Sequence, residues 1–141
     1  MALAETDKII LTYLKAQSGL TALLTDADEG IYIPRLPEGA DLPAISMFSQ
    51  GGAAQPYIPD FVMPDIQFLC WASDLIVARQ VYRKLYDVLH AIANVTVTYD
   101  GKNFKIHSAI EEVQGQDLQD VTVTDYFSVM TSYRFTISAS E

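Results

Sequence analysis

The clearest pattern of apolar and polar positions lies near the end of the chain. From Phe127 to Ile137 every second residue is apolar or threonine, and mostly polar residues stand between them. A period of two is typical of a β-strand that buries one face. We therefore predict a half-buried strand over 127–137.

Two other segments have the spacing of amphipathic helices. The first begins near Thr6, which can cap a helix, and we expect Gly19 to end it, with one further short turn after it. The second begins at Ser73 or Asp74 and runs to about Ala93. We expect this second helix to pack its apolar side on the sheet. That side carries Ala78, Val81, Tyr82, Leu85, Leu89 and Ile92, and the opposite side carries Arg79, Arg83, Lys84, Asp87 and His90.

Short strands are predicted at 31–33, 44–48 and 65–71, and a hairpin is predicted around Asp100-Gly101, a pair that tight turns prefer. The resulting order of elements is α-β-β-β-α-β-β-β. Strands joined by short turns favour an antiparallel arrangement. The predicted fold class is α+β, a two-layer sandwich in which a mainly antiparallel sheet carries two amphipathic helices on one face.

The segment 49–60 has the composition of a loop. Gly51-Gly52 and two prolines argue against regular strand pairing, and Pro64 should stand at the beginning of the strand that follows. Tyr57 and Ile58 place apolar groups in the middle of this segment. Long loops in small domains are often functional, so we regard these two residues as candidates for contact with a partner.

Composition limits the function classes. The chain has 141 residues and a net charge of −9, which fits one domain, 1–141, and argues against ordinary binding to nucleic acid or to anionic membranes. No apolar run approaches the roughly 20 residues that cross a bilayer. The N-terminus has no basic segment followed by an apolar core, so we expect no signal peptide and a cytosolic product.

No residues have the spacing of a catalytic or metal site. Cys70 lies in an apolar run and is expected to be buried, while His90 and His107 have no nearby partner with triad or metal-ligand spacing. The run that starts at Asp26 resembles a calcium loop but lacks the required glycine and glutamate. We therefore predict no enzyme activity, no metal and no cofactor.

An acidic zone follows the predicted hairpin. No lysine or arginine occurs between Lys105 and Arg134. The sequence leaves two interpretations open: the exposed end of a hairpin, or a negatively charged face directed at DNA or at a basic partner. The acidic residues of this zone are Glu111, Glu112, Asp117, Asp120 and Asp125.

Some large apolar residues are predicted to face away from the core. Phe48 and Met130 alternate with the core positions of their strands and therefore point to the opposite face of the sheet. Apolar positions of this kind are often buried against another copy of the chain.

Two stretches carry a resemblance to a known family. Residues 31–45, Ile-Tyr-Ile-Pro-Arg-Leu-Pro-Glu-Gly-Ala-Asp-Leu-Pro-Ala-Ile, resemble the LPxGAxLPAI region of the tail completion proteins of long-tailed bacteriophages, also called tail terminator or tail-to-head joining proteins. Residues 66–73 followed by a helix with Ala78 and Leu85 are similar to the strand-then-helix element of that family. With the N-terminal helix and the order of elements, the resemblance covers most of the chain.

The resemblance implies a structural role in the virion. Such proteins form a ring, usually of six copies, which stops growth of the tail tube and joins the tail to the head connector. The implied partners are other copies, the tail tube protein and the connector, with DNA only passing through the channel. The implied location is the neck end of the tail, after assembly in the cytoplasm of the bacterial host.

The resemblance also suggests a use for the candidate residues. The acidic zone Glu111–Asp125, or the 50–60 loop with Tyr57 and Ile58, would line the channel or contact the next ring. An acidic channel wall attracts no phosphate, which agrees with the net charge. Contacts between subunits would use sheet edges, together with exposed Arg79, Arg83 and Lys84 against acidic neighbours.

Two alternatives remain open at this stage. One is another neck protein, such as a head-closure or connector subunit. The other is a small cellular α+β domain that binds or hydrolyses a ligand, which would require a concave pocket with convergent polar groups.

Overall fold

The computed structural model describes residues 6–24, 30–33, 42–54, 61–90, 92–119 and 127–140. Within these ranges the chain order is α-α-β-β-β-α-β-β-β, which is the predicted order with one short extra helix. No helix in them combines the length and the apolar content needed to cross a membrane. The helices are α1 (Thr6–Lys15), α2 (Ser18–Thr21) and α3 (Leu75–His90). The strands are β1 (Ile31–Tyr32), β2 (Ala44–Ala54), β3 (Phe61–Ala72), β4 (Val95–Tyr99), β5 (Lys102–Gln119) and β6 (Phe127–Ser140).

The six described strands form one mixed sheet in the order β1-β2-β3-β6-β5-β4. All neighbours are antiparallel except β1 and β2, which are parallel. The class α+β is therefore confirmed, but the finer prediction of a two-layer sandwich with two helices is wrong, because the described ranges contain three helices and a mixed sheet. A parallel pair needs a longer connection than a hairpin, and the segment 33–43 supplies it.

The core lies between the helices and one face of the sheet. Helix α1 contributes Ile9, Ile10 and Leu14, and α3 contributes the stripe that its spacing predicts. Asp74 precedes α3, and its Oδ1 accepts a hydrogen bond of 3.0 Å from the N–H of Ile76, which satisfies one of the free donors at the helix start. The helix ends at His90, before the predicted Ala93.

Strand β6 confirms the alternation that the sequence shows. Val129, Thr131, Tyr133, Phe135 and Ile137 are all buried on the helix side. The ring of Phe68 on β3 packs edge-on against Tyr133 and Phe135, with ring centroids 5.9 and 6.2 Å apart. β6 lies in the middle of the sheet, so its buried face joins β3 to β5.

The hairpin between β4 and β5 is also confirmed. Asp100 and Gly101 have φ angles of 53° and 72°, in the left-handed region that a tight hairpin turn requires at both central positions. β5 continues far beyond this hairpin, to Gln119, and pairs with β6 along almost its whole length. The acidic zone therefore begins inside a long strand and not at a hairpin end.

The loop predicted at 49–60 is wrong for residues 49–54, which belong to β2. The register shifts between Ser49 and Gly52, so the glycine pair is accommodated by a bulge, after which pairing with β3 resumes. Pro64 lies inside β3 and not at its beginning. A proline has no N–H to donate, and it is tolerated here because the ladder to β6 includes Val62 and Asp65 but neither residue between them. Tyr57 and Ile58 lie outside the described residues.

The prediction that Gly19 ends the first helix is wrong as well. Helix α1 ends at Lys15, and Gly19 lies within α2. A Cβ atom at position 19 would lie 2.7 Å from Cε of Lys84 on α3. That atom is the far end of a flexible side chain, which can move aside.

The position of the core predicts a sharp contrast between two isoleucines on helices. Ile10 on α1 is fully buried, whereas Ile76 on α3 is 68% exposed. Ile10→Ala should lower the free energy of unfolding by about 2–5 kcal/mol, because it removes buried methyl groups and leaves a cavity. Ile76→Ala is the matched control and should change it by no more than about 0.5 kcal/mol. Urea denaturation measures both, and similar losses would contradict this placement of the core.

Candidate functional site

A carboxylate lies between α3 and the sheet. Oε2 of Glu111 on β5 lies within hydrogen-bond distance of three hydroxyls: 2.8 Å from Tyr82, 2.9 Å from Thr131 and 3.2 Å from Tyr133. The Thr131 hydroxyl has one hydrogen to donate, and it also lies 2.8 Å from the carbonyl oxygen of Val113. These donors come from α3 and β6, so one oxygen joins three elements. Glu111 is half-buried, and hydroxyl donors stabilise a carboxylate in such a position. Burial is the main cause that raises the pKa of Tyr82 and of Tyr133, and both hydroxyls stay protonated as donors.

Irregularities in β5 place Glu111 there. The register with β6 shifts between Ile106 and Ser108, between Glu111 and Val113, and again before Gln116. Each bulge adds a residue to one strand and redirects the side chains beyond it. Strict alternation of side chains counted from the hairpin does not predict which face Glu111 occupies, because it does not include the bulges.

Gly115 allows α3 to approach β5 closely. Its N–H donates a 3.1 Å hydrogen bond to the hydroxyl of Tyr82. A Cβ atom at position 115 would lie 2.7 Å from Cζ of that ring. The same tyrosine thus contacts both the backbone of β5 and Glu111.

A cleft opens next to this carboxylate. It has a volume of about 350 Å³ and lies between α3 and β5. Tyr86 and His90, one turn apart on α3, stack face to face with ring centroids 5.2 Å apart and planes 9° apart. The cleft is lined by Tyr86, His90, Ala109, Ile110, Glu111 and Tyr133.

From the sequence, the residues that line the cleft are predicted to lie in different elements with no contact between them. His90 is predicted to be exposed on the polar side of α3, and it is exposed. Glu111 is predicted as part of an acidic zone. The four-residue spacing of Tyr86 and His90 places them on one side of the helix. No sequence signal connects that pair with Glu111.

Glu112 faces the opposite side of the sheet. There Arg134 donates two hydrogen bonds to Asp65, of 2.9 and 3.2 Å, and its Nη2 lies 3.5 Å from Oε2 of Glu112. Hydrogen bonding to Arg134 lowers the pKa of Asp65, and a hydrogen bond to Asp65 is the main cause that raises the pKa of Glu112. Glu111 and Glu112 therefore do not share one charged face.

The rest of the predicted acidic zone is only partly described. Asp117 lies in β5, and Asp120 and Asp125 lie outside the described residues. The proposed use of this zone as a channel wall stays a prediction. Among its described residues, Glu111 and Glu112 occupy two different environments.

The three basic residues of α3 differ in their surroundings. The Arg79 guanidinium lies 5.7 Å from the ring centroid of Tyr82, a cation–π contact within the chain. Lys84 is half-buried beside Gly19, and Arg83 is exposed. Of the three, Arg83 has the most exposed side chain. A subunit interface at these residues stays a prediction.

The sheet face opposite the helices carries large apolar groups. Phe48, Leu69, Trp71 and Met130 are half-buried there, which agrees with the direction predicted for Phe48 and Met130. The indole N–H of Trp71 donates a 2.9 Å hydrogen bond to buried Ser46, and the amide of Gln67 donates to the sulfur of Met130. We define the outer patch as Phe48, Leu69, Trp71 and Met130.

Both sides of the sheet end in strands that are only partly paired. On one side β1 covers Ile45 and Ser46 of β2, and no described strand pairs with residues 50–54 along that edge. On the other side β4 covers 102–106 of β5, and no described strand continues along 108–119. Two exposed apolar side chains lie on this second edge: Ile110, 61% exposed, and Val113, 41% exposed.

The described residues offer little chemistry outside the cleft. Their histidine, cysteine and carboxylate side chains form no group of three that could hold a metal. Burial raises the pKa of the Cys70 thiol to about 12, so the thiolate needed for a nucleophile does not form near neutral pH. His107 is hydrogen-bonded to Asn94 and Ser138, which gives it a structural role.

Two comparisons with known proteins find no relative of this chain. A scan against protein-family models finds no match to this chain. A search of curated proteins finds no significant match either.

The buried tyrosines predict a loss of stability at alkaline pH. Burial raises the pKa of Tyr13, Tyr82 and Tyr133 above the ordinary 10.0, so above that pH the unfolded chain releases protons that the native chain keeps. The free energy of unfolding must therefore fall as pH rises, by up to about 1.4 kcal/mol per pH unit for each such group. Tyr133→Phe should make this decline shallower. Urea unfolding at several pH values between 8 and 11 measures the slope.

Tyr86→Phe is the matched control for this measurement, because the Tyr86 ring lies at the surface. It should leave the wild-type slope unchanged. Equal slopes for Tyr133→Phe and the wild type would show that the Tyr133 hydroxyl is not held protonated in the native state.

Proposed function

We propose that this chain is a structural subunit of the tail-completion type, which assembles into a ring on the end of a phage tail tube and joins it to the head connector. The observation that supports it best is the pair of unlike, partly unpaired edges on one sheet. Unpaired edge strands are sites of association with other strands. A domain with two such edges can pair head to tail with copies of itself.

Head-to-tail pairing agrees with a ring. Contacts between two different surfaces of the same chain produce a closed ring when the rotation between copies closes, and the resemblance to tail completion proteins implies six copies. The edge at 108–119 of β5 would add to the edge at 50–54 of β2 in the next copy. The interface then consists mainly of backbone hydrogen bonds, which require no special side-chain signature.

Side chains near the two edges support the same arrangement. Ile110 and Val113 lie opposite Arg134 and Ser132 of β6, on the face away from the helices, at the β5 edge. Phe48 lies on that face near the β2 edge. Joining the edges of two copies would bring Ile110 and Val113 of one beside Phe48 of the other, and the outer patch would continue across the junction. Burial of exposed apolar groups would stabilise the pair.

The negative net charge of the chain is compatible with passage of DNA through a ring of its copies. A ring of chains that each carry a charge of −9 presents an acidic wall, which repels phosphate and lets DNA slide. The proposed partners are the tail tube protein on one side and the head connector on the other. The protein would act at the neck end of the virion tail after assembly in the cytoplasm of the bacterial host. A head-closure or connector subunit is the nearest alternative of this class.

A second function is favoured by the cleft. Its volume of about 350 Å³ and its convergent polar groups are features of a small-ligand site. A small cellular ligand-binding domain would show a rise in melting temperature with some member of a metabolite panel. Glu111→Gln should abolish that rise if the cleft is the site.

The decisive test of the proposed function is deletion of the gene from the replicon that carries it. Negative-stain electron microscopy of the lysate should show full heads beside unattached tails of abnormal or variable length. A plasmid copy of the gene should restore joined particles. Normal joined tails after deletion would remove the tail-completion proposal and bring the ligand-binding alternative forward.

Pairing of the β5 edge predicts the effect of charge at that edge. Ile110→Lys combined with Val113→Lys should prevent complementation of the deletion, because lysines on an edge strand oppose strand addition. The matched control is Ile76→Lys, an equally exposed isoleucine on α3. The number of joined particles per field measures complementation, and urea unfolding checks that the variants fold. Full complementation by the folded double variant would exclude this edge as the interface.

A further inference from the structure

The cleft beside Glu111 contains a carboxylate with one oxygen unused. All three hydroxyl donors reach Oε2, and no described residue donates a hydrogen bond to Oε1. None of the described lysines and arginines forms an ion pair with Glu111. The three hydroxyls orient the carboxylate but do not neutralise it. A negative charge thus remains at the wall of a partly enclosed space, where its field is less screened than in water.

The other walls of the cleft suit a planar cation. The stacked rings of Tyr86 and His90 form one side, and Tyr133 lines the space near Glu111. Aromatic faces attract cations, and a guanidinium group both stacks on rings and pairs with a carboxylate through two donors. An ammonium group pairs as a point charge and lacks the stacking surface. A volume of about 350 Å³ leaves room for an extended side chain.

We propose that this cleft binds the guanidinium group of an arginine side chain from a different protein. The guanidinium donates to Oε1 of Glu111 and lies against the ring of Tyr86. The cleft borders the β5 edge, because Ala109, Ile110 and Glu111 line it. The inference rests on the charge and the aromatic rings of the cleft and does not depend on the proposed ring.

The described arginines of the chain itself are poor occupants. Arg134 is held by Asp65, and Arg79 lies over its own Tyr82. Arg83 lies on the same helix as Tyr86, one turn away. A net charge of −9 makes the surface complementary to a basic partner. We therefore assign the site to a heterologous arginine.

The test uses three small probes on the full chain. N-acetyl-arginine methylamide should shift the amide resonances of residues 86–90 and 109–111 in a ¹⁵N-labelled sample, with a dissociation constant on the order of millimolar, as expected for so few contacts. The citrulline derivative has nearly the same shape without the charge and should bind at least about tenfold more weakly. The lysine derivative should also bind more weakly than arginine, because it lacks the planar group.

Paired variants locate the site. Glu111→Gln removes the charge and keeps an oxygen for the three hydroxyls, and it should weaken binding of the arginine probe about tenfold or more. Glu112→Gln, the same change on the opposite face, should leave binding unchanged. Tyr86→Leu should weaken it through loss of the aromatic face. The spectrum of each variant shows whether it is folded. If Glu111→Gln does not fold, the comparison of the arginine and citrulline probes on the wild type still tests whether binding requires the positive charge.

Several results would overturn the proposal. Equal binding of arginine and citrulline would show that Glu111 does not act as a charge, and equal binding of lysine would remove the guanidinium assignment. Shifts confined to the face of Glu112 would place the site elsewhere. Self-association in sedimentation that Glu111→Gln abolishes and Glu112→Gln does not would make the occupant another copy, and the assignment to a different protein would be wrong.

Discussion

The structure depends on the burial of one face of the sheet beneath α1 and α3. The inward side chains of β2, β3 and β6 meet the apolar stripes of both helices in one continuous cluster. Fully buried Phe68, Tyr133 and Phe135 form its centre, and each removes a large apolar surface from water. The register of the central strands follows from this burial, since a slip by one residue would turn the apolar face outward.

Glu111 is the polar exception within that packing. At the end of the core, α3 meets β5 through a carboxylate, three hydroxyls and a glycine, where the rest of the helix uses aliphatic contacts. The hydroxyls that meet Oε2 of Glu111 connect α3 and β6 to β5 and restrict how α3 can move over the sheet. The cleft next to it is therefore bounded by groups that the fold itself holds in place.

Two kinds of surface remain after the core is built, and they suit different partners. The edges of β2 and β5 present backbone groups and favour another strand, which a copy of the chain can supply. The cleft presents a charge and aromatic faces, and favours a compact cation. The outer patch and the Asp65–Arg134–Glu112 cluster lie on the sheet face opposite the helices. The cleft adjoins the β5 edge, because Ala109, Ile110 and Glu111 belong to both. The two proposed interactions therefore meet at this segment of β5.

Local pattern alone determined much of the fold. The period of two in β6, the helical spacing of α3 and the Asp100-Gly101 turn are properties of neighbouring residues, and the structure confirms each of them. The direction of Phe48 and Met130 follows from the same alternation. The absence of an apolar run of about 20 residues argued against a helix that crosses a membrane, and the apolar neighbours of Cys70 predicted a buried thiol.

The tertiary structure decided what depends on distant residues. The bulges of β2 and β5, the place of Pro64 within β3 and the parallel pairing of β1 follow from how strands meet, which no local window contains. The separation of Glu111 from Glu112 has the same origin. The sequence by itself determined α3, β6 and the turn between β4 and β5, together with the apolar faces of α3 and β6, because those properties are local. The candidate site required tertiary structure, because its aromatic pair and its carboxylate are distant in the chain and meet only when α3 packs on the sheet.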